Sequence, residues 1–164
     1  AAKLLEREDS RVTEHAIRVA LRTVRHPARF EILMRENLPV VIDGAHNPAG
    51  MRALRAGLDA YFPDLPRVFL LGILKDKDID AMLAALLRPG DQVITVRPNS
   101  ERAAAADVVA AIAAGMGLDT YACDDPAAAL AEAQARARAG NALLVAAGSL
   151  YLVGGIRAML MTGR

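Results

Sequence analysis

The chain of 164 residues contains one cysteine, Cys123, and no tryptophan. A single cysteine excludes an internal disulfide, and the charged beginning of the chain lacks the apolar core of a signal peptide. These two absences exclude a secreted disulfide scaffold. We therefore expect a cytoplasmic protein.

Neither sign of charge is in excess. Twenty basic and nineteen acidic residues leave a formal net charge of +1, so the chain lacks the strong overall field that would hold it on nucleic acid or an anionic membrane. We expect neither kind of partner. With 54% hydrophobic residues, the length is sufficient for the core of one ordinary domain.

One uncharged stretch, residues 139–156, is long enough to cross a bilayer. The pair Gly148-Ser149 divides it into a strand-like first half and a helix-like second half. The stretch therefore predicts a buried strand, a turn and the beginning of a helix rather than a membrane span.

Short runs of Val, Ile and Leu alternate with Ala-rich amphipathic stretches from residue 38 onward. This alternation is typical of an α/β domain with a mostly parallel sheet that helices cover on both faces. The predicted strands are residues 39–43, 67–73, 92–96, 119–123 and 142–147. The predicted helices are residues 10–23, 48–61, 77–87, 103–116, 126–139 and from about 150 onward. Residues 29–35 predict a further strand, which either pairs antiparallel at a sheet edge or leads in from a preceding domain.

Ligands of open parallel sheets bind beyond the carboxyl ends of the strands. The segments that follow predicted strands there are residues 43–50, 72–77, 97–102 and 148–149, and we expect them to share one edge of the sheet. In the first segment, Asn47 is a suitable N-cap and Pro48 a suitable first helical residue. This turn therefore directs free backbone N–H groups toward the edge, where they favour an anion.

Two interpretations of the turn after residue 42 remain open on the residues alone. In the first, Asp43 accepts hydrogen bonds from sugar hydroxyls and His46 donates one to a phosphate or carboxylate. In the second, Asp43 and Asn47 only satisfy the turn, and His46 is an exposed loop histidine.

Several motifs of known sites are absent from these residues. The chain has no G-x-x-x-x-G-K-[ST] phosphate loop, and Gly115-Met116-Gly117-Leu118 lacks the third glycine of a dinucleotide fingerprint. His15, His26, His46 and Cys123 do not show metal-ligand spacing. We therefore predict no metal site within this chain.

Four segments resemble, in order and spacing, motifs of folylpolyglutamate synthase and dihydrofolate synthase, members of the Mur ligase superfamily. Asp43-Gly44-Ala45-His46-Asn47-Pro48 resembles D-G-A-H-N-P, and His26-Pro27-Ala28-Arg29-Phe30-Glu31 is similar to W-P-G-R-x-E, with His and Ala in place of Trp and Gly. The segment that begins at Gly72 looks like G-x-L-K-D-K-D, and the one that begins at Gly148 looks like G-S-L-Y-L-V-G.

The resemblance implies a Rossmann-like three-layer domain with five or six strands. It implies that residues 27–164 are the C-terminal domain of such a ligase and that residues 1–26 are a linker and the tail of a preceding ATPase domain. The implied reaction adds L-glutamate to folate or dihydropteroate through an acyl phosphate, with ATP and with Mg²⁺ held mainly by that preceding domain. The fragment alone is expected to be inactive.

Residue roles follow from the same resemblance. Arg29, Asp43 and Asn47 are predicted to contact ATP, with the guanidinium at the phosphates and the carboxylate at the ribose. His46 is predicted to be catalytic, and His46 and Ser149 are predicted to contact glutamate.

Two alternatives stay open at this point. One is the C-terminal domain of a peptidoglycan Mur ligase, which shares the architecture. The other is a stand-alone Rossmann-like binding module without catalysis.

Overall fold

A computed structural model describes residues 13–24 and 26–162. The predicted helix over residues 10–23 is found from Glu14 to Thr23, and its first residues lie outside the described part. The proposed boundary between residues 26 and 27 stays a prediction.

The described chain alternates strands and helices in the order that the hydrophobic pattern predicts. The strands are β1 (Glu31–Arg35), β2 (Leu38–Ile42), β3 (Arg67–Leu71), β4 (Gln92–Val96), β5 (Asp119–Cys123) and β6 (Leu143–Ala147). The helices are α1 (Glu14–Thr23), α2 (Pro48–Tyr61), α3 (Ile79–Leu86), α4 (Ala106–Gly115), α5 (Pro126–Ala139) and α6 (Leu150–Thr162).

The sheet has six strands in the order β1-β2-β6-β3-β4-β5. All neighbours pair in parallel except β1, which pairs antiparallel with β2 at one edge. Of the two placements open for the first strand, the structure therefore selects the sheet edge. The hairpin turns through Glu36 and Asn37, whose positive φ angles of 49° and 66° match a tight two-residue turn.

Two hydrophobic layers sandwich the sheet. Val41, Phe69 and Val145 face the core beneath α2, α3 and α4, whereas Ile42, Leu70 and their neighbours face α5 and α6. Side chains of alternate residues enter opposite layers, because strand side chains have a period of two. This arrangement confirms the three-layer Rossmann-like fold.

Two helices begin later than the sequence pattern predicts. Helix α3 begins at Ile79 rather than residue 77, because the Asp78 carboxylate accepts a hydrogen bond from Ala81 N and caps the helix. Helix α4 begins at Ala106 rather than residue 103, because the backbone at Ala103 forms an antiparallel bridge with Leu74, through Ala104 N to Ile73 O and Lys75 N to Arg102 O. The loop after β4 is thereby tied to the loop after β3.

One buried and one partly exposed ion pair anchor the C-terminal half of α2. Arg55 Nη1 lies 2.8 Å from Asp91 Oδ2 in a site where both side chains are buried, and Arg67 binds Asp59 at 2.7 Å. Burial raises the pKa of the Asp91 carboxyl, although Arg88 N and Arg55 act in the opposite direction. These contacts hold the C-terminal half of α2 against the end of α3 and the loop that follows α3.

The uncharged stretch over residues 139–156 forms the last part of α5, strand β6 and the beginning of α6, as predicted. Within the described ranges, no helix is both long enough and apolar enough to cross a membrane.

Gly148 stands where two backbones approach most closely. Its φ angle is +114°, and a Cβ atom at this position would lie 2.7 Å from Gly72 O. Gly148 N donates to Ala45 O at 3.0 Å, and Gly72 N donates to Ala147 O at 3.2 Å. A side chain at residue 148 would therefore push apart the loops that follow β2, β3 and β6.

We expect Gly148→Ala to lower the free energy of unfolding by about 3 kcal/mol, because it combines an unfavourable positive φ with a clash against backbone. Gly154→Ala is the matched control, since that glycine is helical and a Cβ there would meet nothing within 4 Å. The control should be neutral or up to about 1 kcal/mol more stable. Urea denaturation measures both, and equal midpoints for the two variants would contradict the close approach.

Candidate functional site

The carboxyl ends of β2, β6 and β3 lie side by side at the centre of the sheet. This carboxyl-terminal edge is the one at which the sequence predicts a site. Asp43 N donates to Ala146 O at 3.0 Å, and Gly148 N donates to Ala45 O at the same distance. The turn after β2 is therefore bonded to the end of β6 and to the loop before α6. These are two of the four segments predicted to share this edge.

Asp43 is half-buried and organises the turn around it. Its Oδ1 accepts a hydrogen bond from Ala45 N and its Oδ2 accepts one from Phe30 N, both at 2.7 Å. Asp43 therefore makes the backbone hydrogen bonds that the structural interpretation of this turn predicts. Two ionised carboxylate oxygens offer about four acceptor positions, so acceptor capacity remains for a ligand in the adjacent cleft.

His46 is oriented by its own turn. Its Nδ1 lies 2.8 Å from Gly44 O. A carbonyl oxygen only accepts hydrogen bonds, so Nδ1 is the donor in this contact, and Nε2 is the ring nitrogen left for a ligand. The side chain is half-buried and lines two clefts.

Asn47 caps α2 as its position predicts. Its side-chain oxygen accepts a hydrogen bond from Gly50 N at 2.8 Å, and Pro48 is the first helical residue. The positive end of α2 therefore points to the same edge as His46. The side chain of Asn47 is exposed.

Arg29 lies on a short loop before β1 with an unusual backbone. The residues on either side of it, Ala28 and Phe30, have positive φ angles of 56° and 47°. This conformation costs about 1–2 kcal/mol for each residue with a side chain. The Arg29 side chain is exposed, and no carboxylate of the described residues pairs with it at ion-pair distance.

Four of the five predicted site residues line one open depression of about 550 Å³, which we call the main cleft. They are Arg29, Asp43, His46 and Asn47. The turn and the Arg29 loop are adjacent in space although 13 residues separate Phe30 from Asp43. The structure therefore brings the two predicted motifs together.

The main cleft has an aromatic side that sequence reasoning missed. Phe30 and Tyr61 lie 5.6 Å apart between ring centroids, and Phe30 fills the space above Gly57, where a Cβ would lie 2.6 Å from Cε2. The sequence does contain one indication of this contact. Gly57 lies within an otherwise regular helix, and a glycine in such a position usually has a packing or functional reason.

Ser149 lies beside a second, smaller cleft of about 140 Å³, which His46 also lines. The Ser149 hydroxyl accepts a hydrogen bond from Leu152 N at 3.2 Å and caps α6, and the residue is 1% exposed. Lys77 and Arg102 supply positive charge to this second cleft. Arg102 binds Asp76 at 2.6 Å and is the main cause of the lowered pKa of that carboxyl.

Residues 13–24 and 26–162 contain no group of three or more His, Cys, Asp or Glu side chains that could hold a metal ion.

Comparison with known proteins assigns the chain to a family. A family model described as Mur ligase, glutamate ligase domain, matches residues 28–149. A probable bifunctional folylpolyglutamate synthase/dihydropteroate synthase of Halobacterium salinarum is 38% identical over 154 residues, which is 93% of this chain and 18% of the relative. A dihydrofolate synthase/folylpolyglutamate synthase of Mycobacterium tuberculosis is 41% identical over 100 residues, which is 61% of this chain and 20% of the relative.

Solved structures agree with this placement. Folylpolyglutamate synthase of Mycobacterium tuberculosis complexed with ADP is 32% identical with a TM-score of 0.82, covering 92% of this chain and 35% of that one. A bifunctional folylpolyglutamate synthase/dihydrofolate synthase with Mn, AMPPNP and L-glutamate bound is 25% identical with a TM-score of 0.73, covering 91% and 35%. The chain thus spans about a third or less of these relatives. The motifs at this edge, the sheet topology and these matches together show that the chain belongs to the Mur ligase family and is a glutamate ligase domain.

Proposed function

We propose that this chain is the C-terminal domain of an ATP-dependent ligase that adds L-glutamate to folate or dihydropteroate through an acyl phosphate. One observation carries the proposal: the Asp43–Asn47 turn and the Arg29 loop line the same cleft at the carboxyl ends of the strands. Solved relatives hold ADP, and one holds AMPPNP with L-glutamate. Those ligands are nucleotides and an amino acid, the two kinds of molecule that this edge is suited to bind.

The main cleft has the features that a nucleotide requires. An exposed guanidinium and a helix N-terminus suit phosphate oxygens, so we assign Arg29 and Asn47 to that end. The free acceptor positions of Asp43 suit ribose hydroxyls. The aromatic rings of Phe30 and Tyr61, tilted by 46° to each other, offer faces and edges against which a purine base can pack.

Glutamate is assigned to the second cleft, next to the main one. His46 borders both clefts, so it lies where a phosphorylated carboxyl and an incoming amine would meet. The N-terminal end of α6, which Ser149 caps, suits a carboxylate. His46 supplies a ring nitrogen at this place, but the sequence contains no phosphate loop. We therefore assign the phosphate loop and most Mg²⁺ contacts to a preceding ATPase domain of the same polypeptide, with Arg29 and the N-terminus of α2 as additional phosphate contacts.

The relatives reported above favour a folate substrate over peptidoglycan precursors, since their names are those of folate enzymes. We assign the pterin site, which would select between dihydrofolate synthesis and extension of polyglutamate tails, to the remainder of the polypeptide. A cytoplasmic location stays a prediction.

The function is tested by glutamate-dependent release of phosphate from ATP. We expect the polypeptide that joins this chain to its ATPase domain to be active with dihydropteroate or tetrahydrofolate, and the 164-residue chain alone to be inactive, because phosphoryl transfer requires a phosphate cradle and Mg²⁺. Robust glutamate ligation by the isolated chain, or none by the joined polypeptide with either substrate, would refute the proposal.

Arg29→Ala in that polypeptide should lower turnover by about 10²–10³-fold, the usual cost of one lost donor to transition-state charge. Arg29→Lys should restore only part of it, since an ammonium cannot reproduce the two-pronged contact of a guanidinium. Arg52→Ala is the control, because Arg52 is an exposed arginine on α2 that does not line either cleft. Steady-state kinetics measure all three, and wild-type turnover in Arg29→Ala would show that its assignment is wrong.

Asp43→Asn and His46→Ala separate the ligand interpretation of the turn from the turn-only interpretation. If both residues contact ligands, Asp43→Asn raises KM for ATP by about tenfold, as expected for one charge-assisted hydrogen bond. His46→Ala then lowers turnover or glutamate affinity. If the turn is only structural, Asp43→Asn lowers Tm with unchanged kinetics and His46→Ala is neutral. Kinetics together with thermal melts distinguish the two.

A further inference from the structure

Glu31, on the edge strand β1, forms an ion pair with Arg157. The proposed reaction does not use this pair. Arg157 Nε lies 2.8 Å from Glu31 Oε2, and Arg157 Nη2 lies 2.9 Å from Oε1. The contact is bidentate and joins the first residue of β1 to α6, across 126 residues of sequence. The side chains are 17% and 32% exposed, so solvent screens the pair only in part.

The same carboxylate reaches into the Arg29 loop. Glu31 Oε2 accepts a hydrogen bond from Ala28 N at 2.9 Å. On the other side of Arg29, Asp43 Oδ2 accepts a hydrogen bond from Phe30 N. Two carboxylates from different parts of the fold therefore hold the backbone amides on either side of Arg29.

This loop depends on such support. Ala28 and Phe30 both adopt the left-handed region, which residues with a side chain avoid. Arg29 has no ion-pair partner among the described residues. The position of its guanidinium is therefore set mainly by the backbone conformation of the loop. Strained backbone persists only where surrounding contacts impose it.

We propose that Glu31 and Arg157 are positioning residues that hold the Arg29 loop in its strained form and so place the Arg29 guanidinium at the main cleft. The loop-holding part rests on geometry alone. The consequence for catalysis rests on the proposed function, through the role assigned to Arg29.

The protonation of Glu31 agrees with this role. The hydrogen bonds from Arg157 are the main cause that lowers the pKa of the Glu31 carboxyl. Burial opposes them as the second-largest effect, and the hydrogen bond from Ala28 N lowers the pKa further. A carboxyl whose pKa is lowered on folding contributes stability above its unfolded pKa and loses it as pH falls through the folded value. The ion pair is therefore complete at neutral pH.

The first test measures hydrogen exchange of the Ala28 and Phe30 amides by NMR in this chain. In Arg157→Met, Glu31 loses the guanidinium that orients it, and we expect the Ala28 amide to exchange about tenfold faster, the equivalent of one charge-assisted hydrogen bond. Arg157→Lys should restore part of the protection. Arg136→Met is the matched control, because it breaks the ion pairs to Glu132 and Asp119 away from the loop. Unchanged Ala28 exchange in Arg157→Met, or an equal change in the control, would overturn the proposal.

The second test uses glutamate-dependent ATP turnover by the polypeptide that includes the ATPase domain. We expect Arg157→Met to lower kcat/KM for ATP by about 10- to 100-fold, as misplacement of a catalytic group does. In an Arg29→Ala background it should cause no further loss, because it acts through Arg29. A loss that adds in full to that of Arg29→Ala would overturn the positioning role.

The two tests separate this inference from the proposed function. If Arg29→Ala retains wild-type turnover, the assignment of Arg29 is wrong, while the exchange measurement still decides whether the ion pair holds the loop. If Arg29→Ala is impaired but Arg157→Met is not, the assignment of Arg29 stands and the positioning role is overturned.

Discussion

The close approach of three backbones at the carboxyl ends of β2, β6 and β3 is the constraint on which the site depends. Strand β6 lies between the other two, and the loop that follows it passes so near Gly72 that only glycine fits at residue 148. The backbone hydrogen bond from Gly148 to Ala45 then ties α6 to the turn that precedes α2. The N-termini of two helices on opposite faces of the sheet consequently lie at one edge, with His46 between the two clefts.

Polar side chains at this edge support the backbone and border the clefts together. Asp43 holds two amides, Asn47 and Ser149 each cap a helix, and Glu31 connects α6 to the Arg29 loop. The turn interpretation and the ligand interpretation of such residues are therefore compatible. A carboxylate that satisfies backbone amides is also held rigidly, and rigid placement is what a ligand contact requires.

In our proposal, this edge is one side of a ligand site rather than a complete site. Its main cleft is open, and its charged groups suit the outer parts of a nucleotide and an amino acid, whereas the described residues contain no metal-binding cluster. The match covers between 18% and 35% of the length of the relatives compared. An open half-site at a domain edge fits our proposal that catalysis requires a second domain, because domain interfaces commonly form ligand sites.

Local sequence determined the elements and the edge on which the site lies. Runs of β-branched and aliphatic residues specify strands buried on both faces, and Asn47-Pro48 marks the beginning of α2, because these are short-range preferences of backbone and side chain. The motif that contains Asp43 and His46 likewise identified the turn. Tertiary structure alone decided the contacts between distant residues: the pairing of Glu31 with Arg157, the position of Phe30 over Gly57, and the delayed beginning of α4, where Ala104 bonds to Ile73. No local pattern encodes these contacts, since each depends on strand order and on how closely the loops pass one another.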